Sequence, residues 1–332
     1  MNFSLLVNMA TTTRTEYVAL LGSLALLAFA DPSLASCGYA TRDLNPVLQP
    51  IYLPTHASFS DNDGWQVDHS LYITNTTQEE NKGDESLLID VENYRYELGL
   101  RYRQDRWLTR VDVPMVSNRG GELDGSIEDW HDFFGLPQGD RNDYPRDQVN
   151  IGYSRDGVVE YQQDSSSSGL ADISLALGYQ AQNGTTWFAG VELPTGSADN
   201  YSGNEAVDVA LWLSHEWQLD EETCSFALFG VSLPGDGGDL EGLIVDRIWV
   251  SQVGMGFQIN PSIIATAQLD MHSSTIEHSE LTAFGNSLQI QLGLGFPQLF
   301  SNHRLDLFFS EDILVGSAPD ISFGVRLSSR YE

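Results

Sequence analysis

The stretch Asn93 to Arg103, NYRYELGLRYR, alternates without interruption. Successive side chains of an extended chain point to opposite sides, so Tyr94, Tyr96, Leu98, Leu100 and Tyr102 share one face. Arg95, Glu97, Gly99, Arg101 and Arg103 share the other. One face is apolar and the other charged, a division that suits a strand between lipid and a wet interior.

The pattern recurs from Trp65 to the end of the chain. In Ser287 to Phe296, Leu288, Ile290, Leu292 and Leu294 oppose Gln289, Gln291, Gly293 and Gly295. Ala171 to Gln180 and Asp320 to Ser328 alternate in the same way. The segments 65–75, 107–116, 186–194, 206–217, 223–233, 247–258, 262–272 and 303–310 follow it less cleanly, which makes twelve strands in all. The connections alternate too. Short links at 104–106, 182–185, 218–222, 259–261 and 297–302 lie between long polar loops at 76–91, 117–168, 195–205, 234–246, 273–286 and 311–319. Short turns on one side and long loops on the other are the habit of outer-membrane barrels. The expected fold is therefore all-β, an antiparallel transmembrane β-barrel of about 12 strands over 64–332, with long acidic extracellular loops and short periplasmic turns. A secreted β-sandwich also alternates, but it gives no reason for paired long and short connections.

Of 332 residues, 47 are acidic and 16 basic, a net charge of −31 at pH 7, and Lys82 is the only lysine. Such a chain offers no basic face to a nucleic acid. The apolar run 17–30 after Arg14, followed by Asp31, Pro32 and small residues, has the form of a signal peptide over 1–35. It is too short for a comfortable membrane-spanning helix. Cys37 then has two readings. After Leu34, Ala35 and Ser36 it resembles the lipidated first residue of a lipoprotein, whereas an exported chain with one other cysteine favours a Cys37–Cys224 disulfide. Cys224 begins a strand after a short turn, which places it at the periplasmic rim. Segment 36–63, with Pro46, Pro50 and Pro54, falls outside the strand count and is expected as a periplasmic arm or a plug in the lumen.

Arg42-Asp43-Leu44-Asn45-Pro46, Ile51-Tyr52-Leu53-Pro54, Glu311-Asp312 and Ser317-Ala318-Pro319-Asp320-Ile321-Ser322-Phe323 resemble the domain-of-unknown-function family 3187. That resemblance implies a Gram-negative outer-membrane barrel and covers most of the mature chain, but supplies no catalytic set. Leu193-Pro194-Thr195-Gly196 is similar to a turn in barrels proposed to import aromatic compounds. The final strand resembles a barrel-assembly signal, with the barrel-assembly machinery as the implied partner. It departs from that signal at Ser329 and Glu332.

The charged face predicts a lumen lined by Arg95, Glu97, Arg101, Arg103, Arg110, Asp112, Asp172, Glu192, Asp208, Asp270, Arg304, Asp306 and Arg326. Two consequences are open at this point: a polar pore selecting small solutes, or a salt-bridged interior that holds a narrow barrel rigid. Tyr94, Tyr96, Tyr102, Trp107, Tyr179, Trp187, Trp217, Trp249, Phe257 and Phe296 fit interfacial girdles. The loop acids Glu79, Glu80, Asp84, Glu85, Glu122, Asp124, Glu128, Asp129, Asp132, Asp140, Asp143 and Asp147 are read as solvated, although calcium bridging to lipopolysaccharide would also suit them. The histidines at 56, 69, 131, 215, 272, 278 and 303 lack metal-pair spacing. Ser251, or Ser214 beside His215, is the serine a lipid hydrolase would use, yet no nucleophile, phosphate-loop or dinucleotide motif accompanies them. No enzyme, cofactor or metal site is expected. The expected role is a channel or importer for small solutes in the outer membrane, with contacts to lipid and lipopolysaccharide. The alternatives are a non-conducting surface or adhesive barrel, for which loop 117–168 is the contact surface, and a soluble sandwich.

Overall fold

A computed structural model describes residues 37–59, 62–135, 144–300, 303–319 and 321–331. Segment 1–35, expected as a signal peptide, and Asp140, Asp143, Asp320, Glu332 and the side chain of His131 lie outside what is described. Twelve antiparallel strands close into a barrel: β1 Gly64–Lys82, β2 Glu85–Gln104, β3 Trp107–Arg119, β7 Ile173–Gln180, β8 Thr186–Leu193, β9 Asp208–Gln218, β10 Thr223–Leu233, β11 Ile248–Asn260, β12 Ile263–His272, β13 Ser287–Phe300, β14 His303–Asp312 and β15 Ile321–Tyr331. Each pairs with its chain neighbour, β3 meets β7, and β1 meets β15, so the ring has no edge. Among the described residues no helix is long and apolar enough to cross a membrane.

The faces divide as alternation requires. Trp65, Trp107, Leu177, Trp187, Leu211, Phe229, Trp249, Met255 and Phe323 are exposed on the outer wall, while the intervening residues are buried inside. Trp65, Trp107, Trp187 and Trp217 lie toward the short-turn end, an aromatic band at that rim, and Trp249 lies toward the long-loop end.

Two stretches expected as loops are structured. The segment 76–91 continues β1 and β2 as a hairpin paired from Thr76↔Val91 to Lys82↔Glu85. Its inward Leu87, Ile89 and Val91 are apolar because they meet other loops rather than a wet lumen. Loop 117–168 holds helix α1 (Asp124–Phe134), hairpin β4 (Asn150–Arg155) and β5 (Val158–Gln163), and β6 (Ser167–Leu170). β4 pairs with the upper part of β2, and β6 with the upper part of β3. Ile151, Tyr153, Tyr161, Tyr201, Leu240, Ile276, Leu281 and Phe284 join them in an apolar cap across the loop end. Burial pushes the Tyr161 phenol well above its ordinary value, with Tyr201 and Asp239 adding to the rise, so it stays neutral.

Candidate functional site: the filled lumen

Residues 37–59 run inside the barrel and are almost wholly buried. The path begins at the turn end, where Cys37 and Cys224 form a disulfide with Cα atoms 5.6 Å apart. Cys37 is therefore not a free lipid-attachment thiol in this structure. The chain then climbs beside β12, two residues at a time. Tyr39 N donates to Gln268 Oε1 at 2.8 Å, Thr41 Oγ1 donates to Asp270 Oδ2 at 2.6 Å, and Asp43 Oδ2 lies 3.0 Å from His272 Nε2. Equal steps on the arm and the strand let every second residue find a partner.

At the loop end the arm turns over residues 45–51. Asp43 Oδ1 accepts from Asn45 N at 2.7 Å, and Asn45 Oδ1 accepts from Val47 N at 3.0 Å, the Asx geometry that starts a tight turn. Arg42 closes it from inside, with Nη2 donating to the carbonyls of Leu48, Gln49 and Ile51. Val47, Leu48 and Ile51 plug into the cap. The chain then descends: Tyr52 N donates to Asp208 Oδ2 at 2.8 Å, His56 N to Gln252 Oε1 at 2.6 Å, and Ser58 Oγ to Glu216 Oε1 at 2.7 Å. Arg110 and Arg101 donate to the carbonyls of Thr55 and Ser58. The family-like residues Arg42 to Pro46 and Ile51 to Pro54 thus flank the apex of this internal loop on its two sides.

Aromatic stacking fixes both limbs. Tyr39 stacks on Phe308 with ring centroids 4.4 Å apart, and His56 on Phe226 at 3.7 Å. These rings need bare backbone beside them. A Cβ on Gly324 would lie 2.2 Å from the Phe308 ring, and one on Gly254 2.3 Å from Phe226. The inward aromatics Tyr72, Phe188, Trp212, Phe226 and Phe308 were not anticipated from the sequence. For Tyr72, Phe188, Trp212 and Phe308, counting parity from the charged residues Asp68, Glu192, Asp208 and Asp306 on the same strands places them inside, whereas β10 has no charge to mark the inward phase of Phe226.

The sequence-nominated charges all belong to the inner side, and most are spent. Arg95 lies 3.2 Å from Glu97, and Arg110 2.5 Å from Asp112. Arg101 lies 3.0 Å from Asp68, an acid the sequence reading did not nominate. Asp306 takes Arg304 at 2.8 Å and Arg326 at 3.0 Å. Arg103 bonds Gln180 toward the turn end. The acids at the loop end serve backbone instead. Asp172 accepts from Gly196 N and Asn204 N, and Asp208 from Tyr52 N and Gly235 N. Asp270 holds Thr41 and Gln268. Between the arm and strands β1–β3, β7 and β8 a cavity of about 30 Å³ remains, lined by Arg42, Arg95, Glu97, Arg110 and Glu192 among others. That is room for about one or two waters.

Ser214 and His215 do not form a pair, because adjacent strand residues face opposite sides. Ser214 points inward to His56 Nδ1 at 3.3 Å, and His215 meets Thr185 at 3.0 Å. Among the described residues no three His, Cys, Asp or Glu side chains gather as a metal site. The turn Leu193 to Gly196 ties β8 to the start of β7, with Thr195 Oγ1 donating to Ala171 O and Gly196 N donating to Asp172.

Residues 23–331 match the family model described as "Protein of unknown function (DUF3187)". The chain belongs to this family. No curated protein matches it. This DUF3187 chain is similar in fold to the COG4313 outer membrane channel from Pseudomonas putida F1, at 13% identity and a TM-score of 0.54, covering 83% of this chain and 100% of that one. More distant matches are the P. putida toluene transporter TodX (12% identity, TM-score 0.43, covering 82% of this chain and 91% of that one) and the CymD monoaromatic hydrocarbon channel (9%, 0.42, 90% and 95%). The DUF3187 barrel is thus a closed twelve-stranded antiparallel barrel, similar in fold to a solved outer-membrane barrel.

Proposed function

We propose that this protein is a gated outer-membrane channel for small hydrated solutes, with residues 38–59 as the gate. The supporting observation is how the internal loop is held. Both of its ends, the Cys37–Cys224 bridge and the start of β1, lie at the turn end of the barrel. A loop fixed this way leaves by swinging out through the periplasmic opening, without unthreading or breaking a covalent bond. Half of this segment, fully extended, reaches roughly 40 Å, enough to hang clear of the lumen. Most of its polar contacts pair the arm with side chains of the wall, so withdrawal exposes a charged lining that water can solvate. Charged walls favour hydrated solutes over hydrocarbons. Outer-membrane lipid, lipopolysaccharide and the barrel-assembly machinery are the partners this placement calls for. The enclosed lumen and apolar cap favour one other reading, a non-conducting surface barrel.

Planar-bilayer recordings separate the two. The oxidised protein is expected to be closed for most of the record, with brief openings. Reduction of Cys37–Cys224 frees one end of the gate and is expected to raise the open fraction at least tenfold. Silence in both redox states, from protein that keeps its unboiled gel mobility, would favour the non-conducting barrel.

A further inference from the structure

Strand register lays a row of arginines across the inner wall near the turn end. Gln66 of β1 is level with Arg330 of β15 on one side and Arg101 of β2 on the other, and Arg101 is level with Arg110 of β3. Arg304 of β14 is level with Ser328, the inward position next to Arg330. The adjoining row toward the loop end carries acids. Asp68 is level with Ser328 and Gly99, and Gly99 is level with Asp112. Asp68 holds Arg101, Asp112 holds Arg110, and Asp306 holds both Arg304 and Arg326. Arg330 is left over. It is 1% exposed, and among the described residues its Nε, Nη1 and Nη2 atoms have no hydrogen-bond partner.

A guanidinium keeps its proton at any ordinary pH, and a buried charge is stable only with a counter-charge. The aspartates nearby are already engaged. We propose that the turn end of the lumen binds a small oxyanion, a carboxylate or phosphate group, on the Arg330 guanidinium. The planar fork of arginine offers two parallel N–H groups to two oxygens. Arg304, a diagonal neighbour on the adjacent strand, adds positive field without being free to bind on its own. On a chain of net charge −31 this row is a local attraction for anions arriving from the periplasm, where the rest of the molecule repels them. Arg330 lies two residues beyond Asp320–Ser328, the segment of the last strand that alternates, and Ser329 interrupts the apolar series between them.

The site is tested on the folded full chain in detergent by following its thermal unfolding midpoint during titration with inorganic phosphate, at ionic strength held constant with chloride. A saturable upward shift of a few degrees is expected for the wild type, lost in Arg330→Gln and kept in Arg119→Gln, whose arginine lies at the loop end. Arg330→Lys keeps the charge without the fork, and is expected to need about tenfold more phosphate. This second variant serves if Arg330→Gln fails to show the unboiled gel mobility of a folded barrel. Repeating the titration with acetate tells a carboxylate ligand from a phosphate one, and a shift with either that depends on Arg330 supports the site. No saturable shift with either anion, or equal shifts in wild type and the Arg330 variants, would overturn it. Neither outcome bears on conduction, since the redox-dependent opening does not require Arg330 to hold a ligand.

Discussion

Asp306→Asn is expected to lower folding stability by about 3–5 kcal/mol, because it leaves two buried guanidinia sharing a neutral partner. Asp306 is fully buried, 2.8 Å from Arg304 Nε and 3.0 Å from Arg326 Nη2. Arg326 in turn sits 5.7 Å from the centre of the Tyr39 ring, so the ion cluster also steadies the base of the arm. The substitution keeps size and shape, and the loss measures charge. Denaturant unfolding in vesicles, followed by tryptophan fluorescence, gives the number. Adding Arg326→Met to Asp306→Asn is expected to recover part of it, since one uncompensated charge is then removed. A loss below about 1 kcal/mol for the single variant would show that the cluster is hydrated rather than dry.

Arg42→Ala is expected to open the gate. Its guanidinium is the inner brace of the apex, bonded to carbonyls on residues 48, 49 and 51, and those carbonyls stay buried when it is gone. Losing a charged donor of this kind costs roughly 1.5–3 kcal/mol. At about 1.4 kcal/mol per factor of ten, the withdrawn state should gain roughly ten- to hundredfold in population. Alanine takes nothing from the strand pairing of the wall, so the unboiled gel mobility should persist while the open fraction in recordings rises. An unchanged open fraction would mean that the apex is held by Val47, Leu48 and Ile51 in the cap, with Arg42 a bystander.

The barrel was legible from one stretch because Asn93 to Arg103 sits between lipid and lumen, where the two faces differ most. Seven residues earlier the same strand loses its signature. Leu87, Ile89 and Val91 occupy the inward phase that Arg95, Glu97 and Arg101 hold below, because the cap covers that face. Outward Asp90 and Glu92 are buried as well, with Glu92 accepting the backbone N–H groups of Glu122 and Leu123. A pattern that inverts its phase reads as a loop. The lumen charges were legible by type and not by partner. Asp68 lies in a strand whose inward positions alternate Gln66, Asp68, Ser70 and Tyr72, and nothing local marks it as the partner of Arg101, thirty-three positions away. The course of residues 37–59 depends on hydrogen bonds to side chains of strands up to 229 positions distant, a kind of contact that leaves no period in the sequence.

Residues 37–59 are proposed to close a barrel that would otherwise conduct. Single-channel recording of a variant lacking 37–59, with Cys224→Ser to avoid a lone thiol, tests it most directly, once gel mobility shows that the variant folds. The expected record is a steadily open channel beside a mostly closed wild type. A folded, arm-free barrel that passes no current would contradict the account and leave the protein a closed surface structure.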